Sequence, residues 1–410
     1  MPASQPLTGI RENSFASLAK TFGTPLYIYD GDRIINQIQK LRTAFSRMDV
    51  KIKFAAKALT NISVLKLMRR QGIGVDVVSI QEVQIARRAG FTPQEIMFTP
   101  SGVDPEEIAE AVAIGVNINL DNLSILEKFG QQYGSSYPCG LRLNPHIMAG
   151  GNLKISTGHA HSKFGISVQQ IGDIHRLREQ YKIQIRGLHI HTGSEITETA
   201  VFAQMATLLF ELAGQFPELQ FLDFGGGFKV AYKAGDKVSD IDAIGAALAP
   251  MFDAYQQKHG RKLELWIEPG KYLVSECGYL LVKVNVVKPT PTITFAGVNS
   301  GLNHLIRPMM YDAYHEIVNV SNPDGKLKTY NVVGNICETD TLGADRSLPE
   351  VREGDLLVLC NAGAYGYSMA SNYNSRLRPA EVLVVGSEAK LIRERDTLEQ
   401  ILQGQIDIFP

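Results

Sequence analysis

Short apolar runs alternate with amphipathic helical segments between residues 51 and 268. Most of the runs are continuously apolar, which is typical of parallel strands that are buried on both faces. Eight such runs, separated by helical patterns of ten or more residues, predict eight βα units and therefore a (β/α)8 barrel of the TIM type. The predicted strands span residues 51–55, 75–79, 96–99, 116–120, 140–144, 185–191, 220–224 and 263–268.

Residues at the predicted helix ends support the intervening helices. Ser79 and Glu82 have the spacing of a capping box. Asp104 is suited to cap a helix that begins at Pro105, and Gly115 is suited to end that helix.

The pattern changes after about residue 280, where strand-like runs follow one another without helical spacers. These runs span residues 280–287, 329–333 and 356–360, and residues 321–325 have the composition of a turn. A chain of 410 residues is long enough for two domains. We predict a barrel over residues 32–280 and an antiparallel β domain over residues 281–410, to which residues 1–31 add a strand.

Composition narrows the class of protein. A net charge of −1 gives no general electrostatic reason to bind nucleic acid or an anionic membrane. No apolar run approaches the length of a bilayer crossing, and the N-terminus lacks the apolar core of a secretory signal. The four cysteines lie far apart, which argues against a disulfide scaffold and a zinc knuckle. We expect a cytoplasmic protein.

Candidate functional residues fall where the predicted strands end. In a barrel of this type, functional side chains gather at the carboxyl ends of the strands. Lys57 follows the first strand, His191 the sixth, three consecutive glycines the seventh and Glu268 the eighth. Each alone has an ordinary alternative, such as a solvated lysine or a tight glycine turn. Because all four lie at the same end of the barrel, they predict a functional site more strongly together than any one of them does alone.

The two nearby histidines raise the question of a metal. His189 and His191 have a spacing that could supply two zinc ligands. We expect only one of the two side chains to face the barrel mouth, and we therefore expect no metal site.

The segments that carry these residues resemble, in the same order, those of the barrel-type pyridoxal-phosphate decarboxylases. This group contains the ornithine, arginine and diaminopimelate decarboxylases, and the resemblance is closest to the last. It covers nearly the whole chain. The matching segments are Phe54-Ala55-Ala56-Lys57, residues 74–79, Ser162-Lys163-Phe164-Gly165-Ile166, His191-Thr192-Gly193-Ser194, residues 225–227, Glu268-Pro269-Gly270, residues 303–308, Cys337-Glu338 and residues 362–369, which continue into 371–374.

The resemblance implies pyridoxal 5'-phosphate as the cofactor. Lys57 would hold it as a Schiff base, His191 would stack on its ring, and Glu268 would face the ring nitrogen. A hydroxyl-bearing serine and tyrosine and the glycine backbone amides would bind the phosphate. The residues expected to bind the cofactor are Lys57, His191, Ser194, Gly225, Gly226, Gly227, Glu268, Pro269, Gly270, Lys271 and Tyr365.

The resemblance also implies the reaction, which is decarboxylation of meso-2,6-diaminopimelate to L-lysine and carbon dioxide at the end of lysine biosynthesis. Lys57 and His191 would act in catalysis, and Cys337 would return a proton to the α-carbon. The ordinary alternative for Cys337 is a buried structural cysteine. An arginine can bind the distal carboxylate, which ornithine lacks, and a glutamate can pair with the distal ammonium. The residues expected to bind the substrate are Lys271, Arg307, Tyr311, Glu338 and Tyr365.

In this family the segment with Cys337 and Glu338 comes from the other subunit. The resemblance therefore implies a homodimer with its active sites at the subunit interface. Lys271 stands where most relatives have an arginine, and lysine lacks the planar guanidinium fork. This departure concerns substrate recognition more than the type of reaction.

Three alternatives remain open. One is a decarboxylase of the same family that acts on another amino acid, such as ornithine or arginine. Another is a non-catalytic relative that binds a partner protein, although such a protein would not need Lys57, His191, Glu268 and Cys337 together. An amino-acid racemase shares the barrel and the cofactor but would need a second acid or base near the α-carbon.

Overall fold

The computed structural model describes residues 7–147, 157–159 and 161–409. Contacts between residues divide the chain into two units. The barrel unit consists of the described residues of Ile35–Ala231 and Lys237–Leu273. The β unit consists of the described residues up to Ile34, Tyr232–Asp236 and the described residues from Val274 onward.

Eight parallel strands close a barrel in the barrel unit. Each strand pairs in parallel with the next, and the last pairs with the first, with Leu265 opposite Val50. The predicted (β/α)8 barrel is therefore confirmed. The barrel strands are Val50–Ala55, Gly74–Val77, Ile96–Phe98, Asn117–Leu120, Cys139–Asn144, Ile185–Ile190, Phe221–Asp223 and Glu264–Ile267, and the short strand Ile166–Ser167 pairs with the fifth.

The few helix ends that the sequence predicts are present in the structure. Asp104 caps its helix through a side-chain hydrogen bond, and Gly115 ends it in a left-handed conformation with φ 88°. Ser79 also acts as a cap, but the Glu82 carboxylate accepts from the backbone N–H of Val78 instead of completing a capping box. The helices are Gly31–Ala44, whose first residues belong to the β unit, Ile62–Arg70, Ile80–Arg88, Pro105–Ile114, Leu123–Tyr133, Ile171–Tyr181, Thr199–Ala213, Ile241–His259 and Lys271–Val274.

The barrel interior changes from apolar to polar towards the carboxyl ends of the strands. Phe221 begins the seventh strand, and its ring stacks on Trp266 with centroids 3.9 Å apart. Asp223 lies two residues further along and faces the same side, because side chains in a strand alternate with a period of two. The barrel therefore has stacked aromatic rings at its floor, where the buried Lys53 Nζ lies 4.4 Å from the centroid of the Trp266 ring, and a larger group of polar residues near its mouth.

The β unit is built on a mostly antiparallel sheet, as predicted. Its strands, in sheet order, are Thr341–Pro349, Leu327–Val333, Thr294–Val298, Gly278–Pro289, Leu26–Asp30, Ala380–Val385 and Glu388–Arg393. Leu356–Leu359 pairs with the central strand and with Ile317–Asn319. Two pairings are parallel, between Leu26–Asp30 and Ala380–Val385 and between Thr294–Val298 and Leu327–Val333.

The remaining elements of the β unit are short. They are the strands Gly9–Ile10 and Asn13–Ser14, the α-helices Phe15–Phe22, Arg307–Tyr311 and Leu398–Leu402, and the 3-10 turns Tyr367–Met369 and Tyr373–Ser375. In the part of the chain that the structure describes, no helix combines the length and apolarity needed to cross a membrane.

Candidate active site

Lys57 lies in the 3-10 turn Ala56–Ala58, directly after the first barrel strand. Its side chain is 41% exposed, and its Nζ lies 3.6 Å from Oδ2 of Asp76 on the second strand. Asp76 is buried, and burial together with the nearby Glu268 raises its pKa to about 8. The turn therefore presents an accessible amine beside a buried carboxyl group at the carboxyl ends of the strands.

The three glycines after the seventh strand form a closely packed loop. Gly225 and Gly227 have φ values of 61° and 95°, in the left-handed region that favours glycine. A Cβ on Gly226 would lie 2.5 Å from the carbonyl oxygen of Glu268, and one on Gly225 would lie 2.6 Å from Nδ1 of His191. Side chains are thus excluded at this loop by backbone conformation and by space.

His191 follows the sixth strand and is held by the glycine loop. Its Nδ1 accepts a hydrogen bond from the backbone N–H of Gly226 at 3.2 Å, so Nε2 carries the proton of the neutral ring. Burial lowers the pKa of His191 well below its usual value, and Arg142 and Lys57 act in the same direction. The residue therefore offers a neutral, oriented ring.

His189 and His191 both point to the barrel interior. His189 is buried, with its Nε2 3.3 Å from Oε2 of Glu268 and its Nδ1 3.4 Å from Nδ2 of Asn119. Burial lowers the pKa of His189. The expectation that only one of the two histidines faces the site was wrong, because side chains two residues apart along an extended segment point to the same side, so that His189 meets Glu268 and His191 meets the glycine loop.

Glu268 follows the eighth strand and belongs to a buried polar cluster. Burial acts to raise its pKa, but His189 and Lys57 together lower it below its ordinary range. On the seventh strand, Oδ1 of Asp223 accepts a hydrogen bond from the backbone N–H of Gly225 at 2.8 Å. One donor atom each of His189, Asp223 and Glu268 lies within 4.8 Å of the other two, a spacing that a metal ion could also bridge. Two buried carboxyl groups this close require a compensating proton or cation.

Residues 269–271 connect the eighth strand to the helix Lys271–Val274. The carbonyl oxygen of Pro269 accepts a hydrogen bond at 3.2 Å from the backbone N–H of Ala55, the last residue of the first strand. Gly270 packs closely against Ala55 and Ala58. Lys271 is buried, and its Nζ donates to Oε1 of Glu195 at 2.9 Å. Glu195 follows the half-buried Ser194 and has a left-handed φ of 66°. The lysine that replaces the usual arginine is therefore held in an ion pair.

In the β unit, Arg307 begins the helix that ends at Tyr311. It is only 5% exposed, and its guanidinium lies 5.4 Å from the ring of Tyr232, to whose hydroxyl Nη2 donates at 3.3 Å. Its Nε is buried and has no hydrogen-bond partner among the described residues. A buried guanidinium with an unused donor is suited to bind an anion.

Three further candidates lie in loops of the β unit. Cys337 and Glu338 are exposed in the single chain, where the backbone N–H of Cys337 donates to Oδ1 of Asn374 at 3.0 Å and the Glu338 carboxylate accepts from the Tyr373 hydroxyl. Tyr365 is half-buried in a left-handed conformation with φ 56°. The exposure of Cys337 argues against the buried structural role that was its ordinary alternative.

Within the barrel unit, the structure brings Lys57, His191, the glycine loop and Glu268 to one rim. Sequence reasoning assigned no role to several buried polar residues just below this rim. Each is a polar residue inside an otherwise apolar strand, and that interruption is the signal that could have found them. They are Asp76, Asn119, Arg142, His189 and Asp223.

Comparison with known proteins identifies the family. Residues 31–275 match the family model described as "Pyridoxal-dependent decarboxylase, pyridoxal binding domain". The chain is 37% identical over 398 residues to the diaminopimelate decarboxylase of Methanothermobacter thermautotrophicus, with 95% of this chain and 93% of that protein covered. It is 36% identical over 402 residues to that of Neisseria meningitidis serogroup B, with 96% and 95% covered.

A solved structure agrees with this. The diaminopimelate decarboxylase of M. jannaschii in complex with L-lysine superposes with a TM-score of 0.89 and is 31% identical, with 96% of this chain and 95% of that chain covered. The chain therefore belongs to the diaminopimelate decarboxylase family of the pyridoxal-dependent decarboxylases.

Proposed function

We propose that this chain is a carboxy-lyase that uses pyridoxal 5'-phosphate to convert meso-2,6-diaminopimelate to L-lysine and carbon dioxide, the last step of lysine biosynthesis. The observation that carries the proposal is the meeting of the Lys57 amine, the glycine loop and the Glu268 carboxylate on one barrel rim, in a chain of this family. We place the reaction in the cytoplasm because the composition favours it and all four cysteines are free.

The phosphate of the cofactor fits the glycine loop. A Cβ at any of residues 225–227 would lie within 2.6 Å of a neighbouring atom, so the backbone itself lines this part of the rim. Backbone N–H groups in such a loop bind phosphate oxygens. Ser194 and Tyr365 would add hydroxyl donors, and Pro269, Gly270 and Lys271 would line the adjacent wall.

The ring of the cofactor fits the groups beside the loop. Oε1 of Glu268 is buried and has no hydrogen-bond partner among the described residues, which suits a protonated ring nitrogen. His191 would lie against the ring face, and Lys57 would bind the cofactor covalently through its amine. When bound, the cofactor supplies an electron sink for the charge left on the α-carbon as carbon dioxide departs.

The protein's own groups would control the protons and the orientation of the substrate. Glu268 remains an anion in its buried cluster, so it can hold a proton on the atom that it faces. The thiol of Cys337 would deliver a proton to the α-carbon.

Substrate selection would rest on charges at both ends of the amino acid. The unused donor of Arg307 would bind the distal carboxylate, with Tyr311 and Tyr365 contributing hydroxyl groups. Glu338 would pair with the distal ammonium. Lys271 would contribute less than an arginine because Glu195 already holds its ammonium at 2.9 Å.

We propose a homodimer in which Cys337 and Glu338 complete the active site of the partner subunit. Both side chains are exposed in the single chain, so a second subunit can reach them.

Complementation between two inactive variants tests this arrangement. Lys57→Ala and Cys337→Ala should each be inactive alone, but co-refolded together they should recover about a quarter of wild-type activity, since half of randomly mixed dimers carry one intact site. If ultracentrifugation shows that dimers have formed but no activity is recovered, an active site shared between subunits is excluded.

Product analysis tests the reaction. The protein with added pyridoxal phosphate is offered meso-diaminopimelate, ornithine and arginine separately, and carbon dioxide and amino products are followed. We expect lysine from diaminopimelate only, at a rate that falls by several orders of magnitude in Lys57→Ala. Lys66→Ala, which removes an exposed lysine from the next helix, is the matched control and should retain full activity. Turnover confined to ornithine or arginine would overturn the substrate assignment and leave the reaction type intact.

A further inference from the structure

Two buried carboxyl groups lie close together in the barrel interior. Asp223 is fully buried and Glu268 is 6% exposed. Oδ2 of Asp223 and Oε1 of Glu268 are both buried and accept no hydrogen bond from any described residue. Because the two carboxyl groups lie within 4.8 Å of each other, ionising both would place two like charges together while two acceptors stay unsatisfied. A single proton held between the two carboxyl groups removes one of the two charges and supplies a donor for a hydrogen bond between them.

We propose that Asp223 is protonated and donates a hydrogen bond to Glu268, which makes Asp223 a positioning residue for the carboxylate expected to face the cofactor ring. The inference rests on the proposed function only for that last role. A carboxylate can accept about four hydrogen bonds, so a donor from Asp223 leaves capacity on Glu268 for the ring nitrogen.

The surroundings decide which of the two groups keeps the proton. Glu268 has Nε2 of His189 at 3.3 Å, whereas the only donor that reaches Asp223 among the described residues is the backbone N–H of Gly225, on the opposite oxygen. Burial and the charge of Glu268 accordingly raise the pKa of Asp223 well above its usual value. The charged and titratable groups around Asp223 are Glu268, Asp76, His189, Arg142 and Lys53.

This protonation connects two parts of the site. Through Oδ1, Asp223 fixes the backbone of Gly225 at 2.8 Å, and through its acid proton it fixes Glu268. The Asp223 side chain would therefore fix the position of the glycine loop relative to the Glu268 carboxylate. Loss of the proton would disturb both at once.

Two substitutions separate this role from simple packing. Asp223→Asn keeps an oxygen for Gly225 and always offers an N–H to Glu268, so it imitates the protonated acid. Asp223→Val has a similar width but offers neither group. We expect the affinity for pyridoxal phosphate, measured by fluorescence titration, to fall by ~10-fold or more in Asp223→Val and to be rescued in Asp223→Asn. A loss as large in Asp223→Asn as in Asp223→Val would overturn the proposal.

Infrared spectroscopy detects the proton directly and does not depend on activity. At pH 7 the full-length protein, with and without cofactor, should show the carbonyl stretch of a protonated carboxyl group that disappears in Asp223→Asn. Asp76→Asn is the control. The raised pKa of Asp76 predicts that this residue has a carbonyl stretch of its own, so the substitution should remove that stretch and leave the stretch of Asp223 in place. An unchanged spectrum in Asp223→Asn, or a stoichiometric divalent metal in the purified wild type, would overturn the proposal.

These outcomes are separate from those of the proposed function. The infrared signal requires no substrate turnover, so it can be present in a protein that fails to decarboxylate diaminopimelate. Conversely, a decarboxylase without the signal would retain the proposed function and lose this inference.

Discussion

Asp76 and Glu268 are carboxyl groups in the same barrel interior, yet their surroundings favour opposite protonation states. Both are buried, but burial and the charge of Glu268 raise the pKa of Asp76 although Lys57 lies at 3.6 Å, whereas His189 at 3.3 Å and Lys57 lower the pKa of Glu268. Differences of this kind assign acid and base roles to residues of similar chemistry. Residue identity alone does not distinguish the two.

A prediction at this scale concerns the pH dependence of stability in Asp76→Asn. The folded-state pKa of Asp76 is raised to about 8, so as the pH rises above the unfolded value of about 4 the unfolded chain releases its proton first. Asp76 therefore contributes full stability at low pH and loses it as the pH approaches 8. The variant should gain on the order of 2–5 kcal/mol relative to the wild type between pH 4 and 8.

The measurement is the thermal midpoint of both proteins at intervals across that pH range. Asp104→Asn is the matched control, because Asp104 is an exposed helix cap and asparagine caps equally well. Parallel curves for Asp76→Asn and wild type would contradict the expected shift.

At the scale of elements, the carboxyl ends of the strands determine how the barrel loops pack. The glycine loop begins one residue after the strand Phe221–Asp223, and the carbonyl oxygen of Gly225 accepts a 2.7 Å hydrogen bond from the backbone N–H of Glu268. Neighbouring strand ends thus hold two loops of the candidate site together through their backbones. Little space is left for a side chain between them.

Gly226→Ala tests this packing. Its Cβ would lie 2.5 Å from a backbone carbonyl oxygen, which cannot move as the end of a side chain can. We expect a loss of ~1–3 kcal/mol in the free energy of unfolding, measured with urea. The control Gly172→Ala lies in the helix Ile171–Tyr181 with no neighbouring atom within 4 Å, and should gain ~0.5–1 kcal/mol. Equal effects of the two substitutions would be incompatible with close packing at the loop.

At the scale of the whole molecule, the N-terminal strand Leu26–Asp30 joins segments that are far apart in sequence. It pairs with Gly278–Pro289 on one side and with Ala380–Val385 on the other. Two buried tyrosines on this strand add long-range hydrogen bonds. Tyr29 donates to Oε1 of Glu381 at 2.7 Å, and Tyr27 donates to the carbonyl oxygen of His304 at 2.6 Å.

These tyrosines give a matched pair of substitutions. Tyr29→Phe removes a bond to a buried carboxyl group and should destabilise the protein by ~1.5–3 kcal/mol, whereas Tyr27→Phe removes a bond to a neutral carbonyl and should cost ~0.5–1.5 kcal/mol. Urea unfolding of both variants gives the comparison. A larger loss of stability in Tyr27→Phe than in Tyr29→Phe would show that the carboxyl group of Glu381 does not make its hydrogen bond the stronger of the two.

The sequence by itself determined the barrel and the location of its rim. Continuous apolar runs report burial on both faces, so the eight strands and their order were predictable, and the residues that follow them, such as Lys57 and Glu268, had to lie at the carboxyl ends. Helix ends such as Asp104 and Gly115 were equally local, because a cap depends on residues within one turn.

Only the tertiary structure decided which polar groups meet. Asp76, His189, Asp223 and Glu268 belong to four strand regions, and their proximity depends on how the barrel closes, which no local pattern reports. The Lys271–Glu195 ion pair has the same origin. Protonation states follow from that closure, because burial and the distance to a neighbouring charge set the pKa of each group.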